Sequence, residues 1–205
     1  FYGLILDKEQ RCSTMSGGWD VSDNTDDIRS DLRPSDEMNR RMEKLDSISQ
    51  AGMEPFGDSF QVSFTAESVS SRCDDLLDQE VSVAGRIMAF RGHGKAAFAD
   101  LRDRTGRIQI HSKRDVLGPD GYGKFKDLLD IGDIIGVTGK VFRTKKGEPT
   151  IEVREWVILC KALRPLPEKW HGLTDVDLRY RQRYLDLIVN PEVKDVFFKR
   201  SRIIS

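Results

Sequence analysis

Five strand-like runs with a helix-like segment between the third and fourth predict a mainly β chain with flanking helices, built around a five-stranded OB-fold barrel. The runs fall at 81–90, 96–101, 107–111, 133–142 and 149–160. Between the third and fourth, GYGKFKDLLD puts Phe125, Leu128 and Leu129 on one helical stripe. Gly85 stands where a long first strand has to bend to serve two neighbours.

The elements follow in chain order. Residues 1–35 are rich in Asp, Ser and Gly, lack apolar periodicity and begin with Phe, so they read as a disordered or non-native leader. Residues 36–80 read as N-terminal helices. Met38, Met42, Leu45 and Ile48 recur at helical spacing after Ser35 or Asp36 as cap, with Gly52 as stop. Arg40, Arg41 and Lys44 fall on the outer face of that helix, where they are expected in solvent or against RNA. Pro55 to Gly57 break the chain, and Thr65 caps a second short helix carrying Val69, Cys73, Leu76 and Leu77.

The barrel is expected over 81–163. In its fifth strand Ile151 and Val153 share one parity while Trp156, Ile158 and Cys160 share the other, which predicts a bulge near Arg154 and Glu155. The side to which Glu155 turns is left open by that bulge. RPLP then gives a stiff connector, running through Glu168, Lys169, Trp170 and His171 within 164–173. Thr174 and Asp177 form a capping pair for one helix with Leu178, Leu185 and Ile188 as its buried stripe. Asn190 and Pro191 open a last helix.

Composition narrows the class. The net charge of −1 conceals a split: residues 1–80 carry 8 Lys+Arg against 18 Asp+Glu, and 81–205 carry 25 against 16. The basic portion holds the barrel and favours a polyanionic partner. No run approaches the ~20 apolar residues of a membrane span. The three widely spaced cysteines, Cys12, Cys73 and Cys160, argue against a disulfide framework or zinc site and fit a reducing, cytoplasmic setting. There is no GxxxxGK[ST] or HExxH, and GHGK around His93 lacks the spacing and hydroxyl of a phosphate loop. His93, His111 and His171 have no sequence-local nucleophile or metal partner, so no catalytic residue and no metal site is assigned.

Strand alternation singles out one surface. Ala97, Ala99 and Leu101 share a face, which turns Phe98 and Asp100 outward; Ile108 and Ile110 point in, which turns Arg107, Gln109 and His111 outward beside Phe98. A ring next to an amide and cations is the equipment for stacking and reading an unpaired base.

Three stretches resemble class II lysyl-tRNA synthetases over about residues 36–205: AGRIMAFRGHGKAAFADLRDRTGRIQ, GDIIGVTGKVFRTKKGEP and KALRPLPEKWHGLTDVDLRYRQRYLDLI. The resemblance implies that the barrel binds the anticodon loop of tRNA(Lys). It places the stacking phenylalanine on Phe98, the base-reading glutamine on Gln109, the strand-end arginine on Arg91 and the fifth-strand glutamate on Glu155, all toward the central uridine. It makes Lys113, Lys124, Lys126, Lys145 and Lys146 candidates for backbone contacts. It further implies that 174–205 begin a class II catalytic domain whose later motifs are missing here. ATP, magnesium and lysine would then be handled only by the full-length enzyme, a homodimer, and this fragment would bind none of them and be inactive alone. Rival readings are an aspartyl or asparaginyl synthetase module, a sequence-tolerant single-strand-binding OB protein, and a free-standing regulatory paralogue.

Overall fold

The computed structural model describes residues 35–57, 59–167 and 173–205. The expected leader up to position 34 and the connector residues Glu168 to His171 lie outside the described residues.

Helix α1 (Asp36–Gln50) is capped by Ser35, whose Oγ accepts the Met38 N–H at 3.2 Å. Its inward stripe differs from the apolar pattern: Arg41 and Ile48 are buried, whereas Met42 is exposed. Arg41 and Lys44 therefore do not form an outer surface with Arg40. Arg41 donates to the Ile131 and Ala162 carbonyls, both at 3.0 Å, and Lys44 bonds the Asp130 carboxylate at 2.6 Å. Arg41 spends donors on two carbonyls at the barrel's rim and Lys44 bonds the Asp130 carboxylate beside them, which a hydrophobicity count does not foresee.

Helix α2 (Ala66–Ser71) is capped by Thr65 and buries Val69, with Cys73 and Leu76 just beyond it. It is fastened to the barrel by a turn. Asp103 takes the Thr105 and Gly106 N–H groups on Oδ1, at 2.7 and 2.8 Å, and the Ala66 N–H on Oδ2 at 2.8 Å. Burial pushes the Asp103 carboxyl up, but these donors outweigh burial and its pKa lies below the ordinary value.

Five strands, β1 (Glu80–His93), β2 (Ala96–Arg102), β3 (Arg107–Lys113), β4 (Ile134–Arg143) and β5 (Pro149–Cys160), close in the order β1-β2-β3-β5-β4. The single parallel pair, β3 with β5, aligns Gln109 with Thr150 and His111 with Glu152. β1 changes neighbours at Arg86, pairing with β4 before it and β2 after it. Gly85 sits at that exchange, where a Cβ would lie 3.0 Å from the Arg102 carbonyl oxygen. The expected β5 bulge is present: Thr138 faces Glu155 and Gly139 faces Val153, so Arg154 is the extra residue. A Cβ on Gly139 would fall 2.0 Å from the Glu152 carbonyl oxygen, which only glycine permits.

Helix α3 (Arg114–Leu128) starts earlier than its apolar stripe, and is kinked where Gly118 takes φ 74° ahead of Pro119. Its Phe125 closes one end of the barrel, edge-on to Trp156 at 5.5 Å. Beneath it Lys161, wholly buried, donates to the Leu128 carbonyl at 2.8 Å and to Asp130 and Asp133 at 2.6 and 2.8 Å.

The C-terminal segment departs from the single expected helix. Asp175, rather than Thr174, caps α4 (Val176–Arg181), its side chain accepting the Leu178 N–H at 3.1 Å. The chain then breaks at Gln182 before α5 (Arg183–Val189). Asp186, fully buried, binds Arg179 at 2.9 Å, Asn190 at 2.7 Å and Arg183. These polar bonds occupy the inner position of α5, while Leu178, Leu185 and Ile188 are only half-buried. α6 (Pro191–Ile204) follows, with Pro191 in its first turn. No helix among the described residues is long and apolar enough to cross a membrane.

The Lys161 cluster should govern stability. Burial pushes Asp130 up, but bonds from Lys161 and Lys44 outweigh it and hold the carboxyl below its ordinary range. A depressed carboxylate stabilises the fold above its unfolded pKa and loses that contribution as the pH falls through the folded value, so unfolding free energy should decline below about pH 4. Lys161→Met should cost about 3–5 kcal/mol in urea unfolding at pH 7, because it leaves buried Asp133 without its cation and Asp130 with Lys44 alone. It should also flatten the acid decline. An unchanged urea midpoint would show that the cluster holds nothing together.

Candidate nucleic-acid interface

The surface forecast by alternation exists on β2 and β3. Phe98 lies opposite His111 and Asp100 opposite Gln109, while Ala97, Ala99, Leu101, Ile108 and Ile110 all face the core. Phe98 is half-buried. One face of its ring is covered by His111, stacked at 4.2 Å with 6° between planes, and His111 in turn meets Phe142 at 5.8 Å. Burial, then Lys113, lowers the His111 pKa against the opposing pull of Glu152, so the ring behind Phe98 is neutral at pH 7. Phe98 lines a cleft of about 410 Å³ together with Arg91, Gln109, Thr144, Lys145, Lys146 and Glu148.

Gln109 and His111 face outward yet are covered, at 7% and 8% exposed. The cover on Gln109 comes from β5 and the turn that leads into it. The Thr150 hydroxyl donates to Oε1 at 2.9 Å, and Nε2 donates to Glu148 Oε2 at 3.1 Å. An ionised carboxylate can only accept, so Glu148 fixes which end of the amide is nitrogen. An amide offers two N–H donors and two acceptor lone pairs, and each end has used one. One donor and one acceptor remain, in a fixed sense.

Three of the four expected residues come together: Arg91, Phe98 and Gln109 line one cleft. Glu155 does not join them. It is exposed beyond the bulge, opposite Thr138 on β4. Glu148 stands at the cleft instead, seven residues earlier and so about 23 Å away along an extended strand. Glu148, Thr150 and Glu152 all have the parity opposite to buried Ile151 and Val153, so alternation places them on the outer face. That signal was present in the sequence. What it lacked was the parallel β3–β5 pairing, which alone says that the start of β5 meets Gln109.

The β4–β5 turn is a rigid support. Glu148 N–H bonds Thr144 Oγ1 at 3.0 Å, Gly147 N–H bonds the Thr144 carbonyl at 2.8 Å, and Gly147 takes φ 82°. Arg143 clamps the turn from outside, to the Gly147 carbonyl at 2.9 Å and to Asp74 at 2.7 Å. Lys145 and Lys146 are left exposed at its tip. Lys113, by contrast, is paired with Glu152 at 2.6 Å. Glu148 also accepts from Arg107 at 2.9 Å. Among the described residues no group of three or more His, Cys, Asp or Glu is placed to hold a metal ion.

A profile described as an OB-fold nucleic acid binding domain matches residues 81–159. The lysine–tRNA ligase of Moorella thermoacetica is 59% identical over 170 residues, 83% of this chain and 35% of that protein. That of Carboxydothermus hydrogenoformans is 57% identical over 164 residues, 80% of this chain and 33% of its own length. The enzyme of a Thermoanaerobacter species is 51% identical over 186 residues, 90% of this chain and 37% of its own length. The chain thus spans about a third of these relatives. Its barrel matches the OB-fold nucleic acid binding domains, and the chain is similar to about a third of each of these lysine–tRNA ligases.

Proposed function

We propose that the cleft beside Phe98 binds the unpaired central uridine of a lysine anticodon, so that this chain is the anticodon-reading part of a lysine–tRNA ligase. The observation that carries the reading is the immobilised Gln109 amide beside a half-covered ring. Uracil offers an N3–H next to a carbonyl; cytosine offers a bare N3 next to an amine. A freely turning amide would pair with either by flipping. Held by Glu148 and Thr150, Gln109 matches uracil and leaves polar groups unpaired against cytosine, at about 1–3 kcal/mol each. Phe98 contributes stacking that every base accepts, and Arg91, Lys145 and Lys146 supply charge for the strand. On this reading the complete enzyme, a cytoplasmic homodimer, joins lysine to tRNA with ATP and magnesium, and the present chain binds without catalysing.

Phe98→Ala should weaken binding of an anticodon stem-loop by about 5- to 150-fold, as measured by fluorescence anisotropy. Glu148→Gln should lose little affinity for the uridine loop but cut the preference for uridine over cytidine by about tenfold, because the amide is free to turn. Glu155→Gln should change neither. Equal affinity of the wild-type chain for all loop sequences would instead establish a sequence-tolerant binder.

Replacing Lys145 and Lys146 by alanine together should reduce the slope of log K against log salt by about 1.4, the value for two single-strand phosphate contacts. An unaltered slope would remove these lysines from the interface.

A further inference from the structure

The turn that carries Glu148 is tied to a distant part of the chain through one guanidinium. Arg143, the last residue of β4, donates from Nη1 to the Gly147 carbonyl at 2.9 Å. Its Nε and Nη2 both go to the Asp74 carboxylate, at 2.7 and 2.9 Å. The fork is planar, so fixing two of its nitrogens on Asp74 fixes the direction of the third. Asp74 is a firm anchor in spite of its exposure. It lies between buried Cys73 and Leu76, in the segment that joins α2 to β1. That segment is stitched to β4 two residues before Arg143: the Asp78 N–H bonds the Val141 carbonyl at 2.9 Å, and the Val141 N–H bonds the Gln79 carbonyl at 3.1 Å. The Arg143 hydrogen bonds lower the Asp74 pKa, so at pH 7 the carboxylate is ionised and both its oxygens accept.

The peptide that Arg143 grips is the one that enters Glu148. Its carbonyl, on Gly147, accepts from Arg143, and its N–H, on Glu148, donates to Thr144 Oγ1 at 3.0 Å. On the other side Pro149 confines Glu148 to extended backbone and has its own φ fixed. The Cα–Cβ direction of Glu148 is therefore set from both sides, and with it the carboxylate that accepts from Gln109 Nε2. Thr144 and Pro149 are local to the turn. Arg143 instead couples it to a residue 69 positions earlier.

We infer that Asp74, acting through Arg143, is a positioning residue for base selection: it aims the Arg143 donor at the Gly147 carbonyl, which sets the Glu148 carboxylate, which keeps the Gln109 amide from turning. This rests on the reading of Gln109 proposed above and extends it to a residue outside the cleft. The Asp74 and Arg143 side chains are 74% and 38% exposed, and an ion pair so placed contributes little to stability. What the pair supplies is direction. Its loss is therefore felt in selectivity far more than in folding.

The test uses the full 205-residue chain and two anticodon stem-loops that differ only in carrying uridine or cytidine at the central position. Binding of each loop and the urea midpoint are measured for every variant. Asp74→Asn weakens the partner of the fork, and Arg143→Lys keeps the charge but cannot make the fork. Each should cut the preference for uridine over cytidine by about three- to tenfold, toward that of Glu148→Gln, with a urea midpoint near that of the wild type. Asp75→Asn removes the same charge one residue on, where the carboxylate lies 3.9 Å from Arg72, and should leave the preference unchanged. Removing a negative charge strengthens binding of both loops alike, so it cancels in the ratio. A wild-type preference in Asp74→Asn would overturn the inference, and so would an equal fall in Asp75→Asn. Proportionate weakening of both loops with a lowered urea midpoint would reduce the pair to structural support and overturn it too. In those three cases a uridine preference in the wild type that Glu148→Gln abolishes would leave the Gln109 reading intact. Equal binding of both loops by the wild type would overturn that reading and the inference together.

Discussion

The hydrogen bonds from Thr150 to Gln109 and from Gln109 to Glu148 are the constraint on which the recognition surface depends. A glutamine on an open sheet turns freely and pairs with donors and acceptors alike. Here one residue on β5 and one in the turn before it take half the amide's capacity and so define the other half. That arrangement exists because the barrel closes through a parallel pairing of β3 with β5, which brings position 109 level with position 150. On the proposed reading, fold closure and base selectivity are one feature seen at two scales.

The same closure explains why so much polar structure is buried around the barrel. The rim formed by α3, the start of β4 and the end of β5 is held by Lys161 between two aspartates, while Arg41 and Lys44 of α1 reach in to carbonyls and to Asp130. On another edge of the barrel, Asp103 binds the β2–β3 turn to the first N–H of α2. Each device costs desolvation and is satisfied by several partners, so each fixes a relative orientation that apolar contact alone would leave loose. The reading surface lies on strands and on a tight turn rather than on long loops, and it inherits that rigidity.

Much of this was legible from residues. Period-2 alternation gave the inward face of β2 and β3 and hence the outward Phe98 and Gln109, and the parity break in β5 located the bulge at Arg154. Alternation reports faces, not neighbours. It cannot say which part of β5 lies against β3; Glu155 is what the resemblance implies, whereas the cleft is lined by Glu148. Nor does hydropathy register a cation that folds inward to a carbonyl, as Arg41 does, or to a carboxylate, as Lys44 does, and so it turns both to the outside. The break at Gln182 escaped for a related reason: a buried aspartate gathering Arg179, Arg183 and Asn190 leaves no apolar trace.

The central claim is that the Gln109 amide is locked before any RNA arrives, and side-chain amide NMR of the free chain addresses it most directly. The account expects the two Gln109 Nε2 protons to be widely separated in shift and slow to exchange, and to collapse toward free-glutamine values in Thr150→Val or Glu148→Gln. A wild-type Gln109 amide already at free-glutamine positions, indifferent to either substitution, would contradict it.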